Sequence, residues 1–314
     1  MKSRRGRVLE ISGGTYRVEA GPAGGDLPEP GGGQVLECSL RGRIKEKEED
    51  RVAVGDRVEV EELDDGSCRV ASVLDRDSAL SRRSVSRRRE QVIAANVDQI
   101  AAVTSVAEPE PDLRLTDRLL VLAELNGLAA LVVANKVDLR DAEELRRIYG
   151  AAGYEVLATS AKSGRGLDEL DERLSGRTTV LAGASGVGKS SLLNALVPGL
   201  DLRTSEVGRR GRHTTVSATM HPFGDRGYVV DTPGLQYLAL WQVDPAHLAW
   251  AFPEFRPHVA ECRFSDCRHL AEPGCGVKAA VEAGEIPERR HESYRSLLEA
   301  IEEEREPGDG TGAG

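Results

Sequence analysis

A multidomain chain, all-β at its start, α/β through its centre and cysteine-bearing near its end, is what these 314 residues predict, on three observations. Up to about residue 75, short runs alternate β-branched and polar side chains between glycine-rich turns. From about 95 to 231, apolar runs alternate with amphipathic stretches, the pattern of a mostly parallel sheet covered on both faces. Three of the five cysteines then fall close together near the end, too few for a disulfide framework and suggestive of a metal site. With 39% hydrophobic and 30% charged residues, there is apolar material for real cores, and a wholly disordered chain is excluded. The most apolar region, 119–134, is interrupted by Glu124 and Asn126, so no run has the length of a bilayer span. Nor does the charged start, Met1 to Arg7, have the apolar stretch of a secretory signal behind it, and a cytoplasmic location is expected. The net charge of −10 argues at face value against nucleic-acid partners.

Taken in order, Arg7-Val8-Leu9-Glu10-Ile11 and Arg57-Val58-Glu59-Val60 read as strands of the β domain. The stretch 20–33, rich in glycine with three prolines, reads as a mobile loop. Arg76, Arg82, Arg83, Arg87, Arg88 and Arg89, spaced by serines, read as a basic interdomain connector. Strands are expected at 99–106, 128–134, 154–159, 178–182, 216–223 and 228–231. Helices are expected between them at 113–125, 143–152, 167–174 and 189–196. A charged helix at 288–305 and a disordered glycine-rich tail from 307 complete the chain.

Gly183-Ala184-Ser185-Gly186-Val187-Gly188-Lys189-Ser190 has the spacing GxxxxGK[ST] and sits between a predicted strand and a helix that opens at Ser191. Its glycines let successive backbone N–H groups turn toward an anionic phosphate, the helix N-terminus adds its positive end, and Lys189 reaches the outer phosphates. Ser190 would hold Mg²⁺. The base is chosen by Asn135-Lys136-Val137-Asp138, after the apolar strand 128–134. The Asp138 carboxylate, acceptor-only, can receive the ring N–H and the exocyclic amine of guanine, a pair that adenine does not offer. The Asn135 amide and the Lys136 stem complete the pocket, and the backbone of Ser160-Ala161-Lys162 can meet the guanine carbonyl. Asp231-Thr232-Pro233-Gly234 ends a further strand, placing a carboxylate near Mg²⁺ and the Gly234 N–H near the γ-phosphate. In Gly211-Arg212-His213-Thr214-Thr215, either Thr214 or Thr215 could complete the metal shell.

The guanine motifs precede the phosphate loop, the reverse of the ordinary GTPase order. Together with the β domain in front and the Cys/His cluster behind, this order resembles the circularly permuted GTPases of the ribosome small-subunit-dependent family RsgA. The resemblance runs from Arg5 to about Tyr294 and includes Ala95-Asn96-Val97-Asp98-Gln99. It implies an N-terminal OB-fold barrel (1–80), the connector (81–95), a permuted P-loop GTPase domain (96–240), a mainly helical zinc-binding domain (241–306) and a tail (307–314). The implied activity is GTP hydrolysis in late maturation of the small subunit, with the subunit and its rRNA bound in the GTP state and released on hydrolysis. Hydrolysis is expected to be slow alone and faster with the subunit. GTP with Mg²⁺ and one Zn²⁺ are the expected ligands; no DNA, no membrane and a monomeric chain are the further expectations.

Cys262, Cys267, His269 and Cys275 follow C-x4-C-x-H-x5-C, and three thiolates with one imidazole suit a closed, structural, tetrahedral Zn²⁺. Cys38 and Cys68 lie singly in the β domain and read as small buried apolar residues. Leu235 stands where many GTPases carry a water-orienting glutamine, with Gln236 one further on. Lys189 and His213 are the catalytic candidates, a neutral His213 imidazole being able to orient or deprotonate water; a solvated loop histidine is the competing reading. Arg209, Arg210 and Arg212 are the nearby candidates for an arginine finger. Two other functions compete: a nucleotide-gated RNA-binding scaffold, and an ATP-dependent enzyme, which Asp138 opposes. The arginine-rich segments at 2–7, 76–89 and 203–212 are expected to face the ribosome. Since the last strand ends at Asp231, whatever follows Gly234 is expected to move with the nucleotide state.

Overall fold

The structure, a computed structural model, describes residues 2–40, 52–83, 90–197, 199–200, 218–225, 227–232 and 244–305. Its first five strands, β1 (Lys2–Ser12), β2 (Thr15–Ala20), β3 (Gln34–Leu40), β4 (Arg57–Glu62) and β5 (Cys68–Val73), pair in the order β1-β2-β3-β5-β4 and close through β1–β4, the arrangement of an OB-fold barrel. Alternation directs Val8, Tyr16, Val18, Val58, Val60 and Val70 into its interior. The 11-residue β1 serves both neighbours because a bulge between Val8 and Glu10 bends it from one to the other. The glycine-rich segment after β2 is pinned to the barrel, with the Gly21 and Gly24 N–H groups donating to the carbonyls of Arg5 and Ser3.

Part of the expected connector is itself a hairpin, β6 (Ala79–Arg83) paired with β7 (Glu90–Ala95). Leu80 and Ala94 are fully buried in it, an apolar alternation that the neighbouring arginines obscure in the sequence. The connector arginines 87, 88 and 89 lie outside the described residues.

The central sheet orders β10 (Glu155–Ala158), β9 (Ala129–Asn135), β8 (Gln99–Ser105), β11 (Thr178–Ala182), β13 (Tyr228–Asp231) and β12 (Thr219–Pro222), all parallel except β12. Every residue of β8 is buried, as a strand covered on both faces requires. On one face, α1 (Leu113–Leu125) and α2 (Glu143–Leu145), which runs on as a π turn over Arg146–Gly150, pack Leu119, Leu145 and Ile148 into a core shared with the C-terminal region. The other face is covered by α3 (Leu167–Leu174) and α4 (Lys189–Leu196).

The barrel joins this sheet through β1 and β12, in register at Glu10 and Thr219. The Tyr228 hydroxyl donates to Glu19 at 2.8 Å across the junction. Ala95-Asn96-Val97-Asp98-Gln99 is joinery as well: buried Asn96 donates to the Gly55 carbonyl, Asp98 accepts from the Thr178 N–H, and Gln99 donates to Thr179. Beyond residue 243 come α5 (Pro245–Leu248), two 3-10 turns at Ala249–Ala251 and Pro253–Phe255, α6 (Arg256–Val259), α7 (Gly276–Glu282) and α8 (Glu288–Arg305). Phe252, Phe255 and Tyr294 pack ring to ring at their centre, with centroids 5.0–5.5 Å apart. No described helix is long and apolar enough to cross a membrane.

Candidate nucleotide and metal sites

Four of the expected loops leave the C-terminal ends of parallel strands β9, β10, β11 and β13, so the sheet gathers at one edge what the sequence scatters from 135 to 232. The loop after β11 turns tightly enough to need glycine. A Cβ on Gly183 would sit 2.0 Å from the Val103 carbonyl oxygen, and one on Gly188, where φ is +97°, would sit 2.4 Å from the Asn135 amide nitrogen. That crowding leaves backbone N–H groups at the mouth of α4 and a cradle that a side chain would fill, which fits a phosphate chain. Lys189 opens α4 and folds back to donate to the carbonyls of Gly183 and Ala184, each at 2.9 Å. Burial lowers its ammonium pKa while the nearby Asp231 carboxylate raises it; the same burial raises the pKa of Asp231, which Lys189 opposes. Thr232, next in the chain, has a buried hydroxyl with no hydrogen-bond partner. A carboxylate beside the loop, next to a buried hydroxyl that the fold leaves unsatisfied, suits Mg²⁺ and its water shell.

Asn135 braces three loops at once. Its amide donates to the Val187 carbonyl at 2.9 Å in the phosphate loop, and its oxygen accepts from the Thr159 hydroxyl and the Ala161 N–H. In the next turn, the Ser160 hydroxyl donates to Asp138 at 2.7 Å, and Lys162 stands 3.9 Å from the other carboxylate oxygen. The Ser160 bond, chiefly, holds Asp138 below the usual carboxylate range, so it stays an ionised acceptor. Lys136 occupies a left-handed conformation, φ +65°, and its ammonium donates to the Glu108 carbonyl. Arg140 forks onto Glu110 with two 3.0 Å bonds, so the loop after β8 walls the loop after β9. Sequence patterns carried no signal for Glu108 or Glu110. A cavity of about 560 Å³ opens beside the phosphate loop, where Ala184 and Ser185 face Arg114, Arg118, Ser293 and Leu297. His213, Thr214, Thr215, Gly234, Leu235 and Gln236 lie outside the described residues, as do Arg209, Arg210 and Arg212.

The ligand atoms of Cys262, Cys267, His269 and Cys275 all lie within 4.8 Å of one another. His269 Nδ1 is 3.5 Å from the Cys262 sulfur and 3.4 Å from that of Cys275, and those two sulfurs are 4.0 Å apart. A tetrahedral Zn²⁺ with ordinary bond lengths requires edges of roughly 3.6 Å for sulfur to nitrogen and 3.8 Å for sulfur to sulfur, so the donor set fits. The N–H groups of Gly276 and Lys278 donate to the sulfurs of Cys262 and Cys275 and would stabilise thiolates. His269 takes φ +59°, and its carbonyl oxygen lies 2.7 Å from His291 Nε2, which ties the cluster to α8.

Two of the expected basic contacts turn inward. Arg76 forks onto fully buried Asp56 at 2.6 and 2.7 Å, and Arg7 stacks on Tyr228 at 4.7 Å. Cys38 and Cys68, expected to lie singly, are register partners on adjacent strands.

Known proteins match this arrangement over nearly its whole length. A family model described as RsgA GTPase matches residues 73–241. The protein from Gemmatimonas aurantiaca named small ribosomal subunit biogenesis GTPase RsgA is 41% identical, over 95% of this chain and 98% of that one. Its namesake from Thermotoga maritima is 43% identical, over 94% and 96%. Among solved structures, YjeQ from Thermotoga maritima superposes with a TM-score of 0.77 at 39% identity, covering 95% of this chain and 98% of that one. YloQ, described as a circularly permuted GTPase, superposes with a TM-score of 0.72 at 30% identity, covering 97% and 96%.

Proposed function

Because this chain belongs to the RsgA GTPase family and is a GTP hydrolase, we propose that it acts in maturation of the small ribosomal subunit, binding the subunit and its rRNA with GTP and leaving on hydrolysis. Asn135 carries the reading of the site, since one side chain fixes the phosphate loop against both guanine loops. Asp138 takes the two guanine N–H groups, Lys136 and Val137 flank the base, and the backbone of Ser160 to Lys162 meets its carbonyl. Backbone N–H groups from Gly183 to Ser191 cradle the phosphates, and Lys189 stabilises charge on the outer ones. Ser190, Asp231 and one of Thr214 and Thr215 would hold Mg²⁺, which when bound neutralises charge on the β- and γ-phosphate oxygens. The Gly234 N–H faces the γ-phosphate and His213 orients the attacking water.

The Cys₃His cluster holds one Zn²⁺ as a structural staple, and the domains divide near 80, 95, 240 and 306. The barrel, with its OB-type order, supplies an RNA-binding face, and the protein works as a cytoplasmic monomer. The test is GTP turnover titrated with purified small subunits, large subunits and neither. Stimulation by small subunits alone is the expected result; equal stimulation by both, or by neither, overturns the partner assignment.

A further inference from the structure

One seam of the barrel differs from the rest. β1 pairs with β2 and with β4 through six register positions each, and β2–β3 and β4–β5 share five each, all antiparallel. β3 and β5 instead run parallel and meet, among the described residues, at three positions: Cys38 with Cys68, Ser39 with Arg69, and Leu40 with Val70. Parallel ladders are slightly weaker per residue, so residue for residue this seam is held less firmly than its antiparallel neighbours. Its first position sets two cysteines side by side. Paired strands lie about 4.7–4.9 Å apart, within the roughly 4.4–6.8 Å Cα separation that a disulfide spans. Register partners project to the same face, so the two thiols stand as neighbours on one side of the seam. Both thiols are free; Cys38 is 2% exposed and Cys68 is half-buried.

We propose that Cys38 and Cys68 form a redox modification site, which a peroxide oxidises to a disulfide that staples β3 to β5 and holds the barrel closed. Cys68, within reach of solvent, attacks hydrogen peroxide as the thiolate; its sulfur takes one oxygen and hydroxide leaves. The Cys38 sulfur then attacks the Cys68 sulfenic sulfur, the S–S bond forms as the S–O bond breaks, and the Cys38 proton departs with the hydroxyl as water. Two thiols and one peroxide give one disulfide and two waters, the peroxide accepting two electrons from the sulfurs. The order of attack follows from burial, which pushes the Cys38 thiol up to about 12 and leaves it a poor first nucleophile. The bond would enclose residues 39–67 and with them all of β4. It acts across the parallel seam, so a pairing that is weaker per residue when reduced stays shut when oxidised.

The test treats the full-length zinc-loaded protein with stepwise hydrogen peroxide, alkylates free thiols, and maps peptides by mass spectrometry without reduction. Zinc release is followed with a metallochromic indicator. A Cys38–Cys68 cross-link is expected before zinc is released, reversed by a thiol reductant, with backbone amide exchange in β3 and β5 slowed tenfold or more, about what a loop-closing constraint supplies. C68A and, separately, C38A should abolish both the cross-link and the slowed exchange; unchanged GTP binding reports that each variant is folded. Sulfenic or sulfinic acid on Cys68 without a cross-link, cross-links confined to the zinc-cluster cysteines, or a cross-link that leaves exchange unchanged would each overturn the proposal.

Discussion

Replacing Arg290 by methionine tests how the C-terminal region is attached. The Arg290 side chain is 0% exposed and bonds Asp117 of α1 at 2.5 Å and Glu254 at 2.6 Å, those carboxylates being 1% and 3% exposed. The rings of Phe252, Tyr149 and Tyr154 lie 4.6, 5.8 and 5.8 Å from its guanidinium, and Ser293 donates to the second oxygen of Asp117. R290M keeps most of the volume but strands two carboxylates in a dry core. Removing one partner of such a network costs about 3–5 kcal/mol. At about 2–4 °C per kcal/mol for a unit of this size, the melting midpoint should fall by roughly 6–20 °C. The triple variant D117L/E254L/R290M removes the charges together and should recover most of that loss. Urea titrations of wild type, single and triple variants, followed by circular dichroism, measure both steps. A single variant within about 1 kcal/mol of wild type would refute the network's role. A triple variant as unstable as the single one would assign the loss to packing rather than to unpaired charge.

Three further outcomes follow from the proposed sites. D138N exchanges an acceptor oxygen for an N–H₂ group and loses two charge-assisted bonds of about 1.5–3 kcal/mol each, so GTP affinity should drop by roughly 10²–10⁴ in a fluorescent-nucleotide displacement assay, with ATP binding no better. Burial raises the pKa of Asp231, so on acidification it loses its charge at a higher pH than an ordinary aspartate; Mg²⁺-dependent GTP binding should weaken there, as a pH series of binding isotherms would show. The sign reverses for the nucleotide-free fold, where the stability tied to protonated Asp231 is present at low pH and lost as pH rises through its folded pKa. Chelation of zinc, or C267S, should unfold the region around residues 262–282, seen as zinc released to a metallochromic indicator together with lost helical ellipticity.

Residue patterns made several elements legible to the residue, for physical reasons that differ. The helix at Leu113–Leu125 is bounded by Asp112, whose side chain caps the Leu115 N–H, and by Asn126 followed by Gly127 at φ +65°. The loops after β9, β10 and β11 are legible as loops because the glycine, asparagine and serine patterns there demand particular backbone freedom at short spacing. What stayed hidden was long-range. Arg290 lies in Glu-Arg-Arg-His-Glu, which reads as a solvated helix face, and only packing reveals that this arginine alone is swallowed. The pairing of Cys38 with Cys68 depends on barrel closure across 30 positions, and no local pattern encodes it. Arginines mask the hairpin at 79–95 for the same reason that the segment 76–89 reads as facing the ribosome: charge reads as exposure, whereas buried Asp56 turns Arg76 inward.

That last error bears on how the nucleotide could act. The permuted order sends the chain from Asp231 toward the C-terminal region, which suggested a body moved by its tether. Yet the region is also seated on α1, through Arg290 on Asp117 and through Arg256, 2.6 Å from Glu124. Opening the Arg290 seat would part these ion pairs and the ring packing around them together, so a ligand could open it only by preferring the open state by more than that contact is worth. A smaller preference moves α1 and the helical region together. α8 lines the cavity beside Ala184 and Ser185, so such a joint movement would change the surroundings of the phosphate loop directly. The buried charges therefore make α1, rather than the tether alone, the element through which the two ends of the permuted domain are coupled.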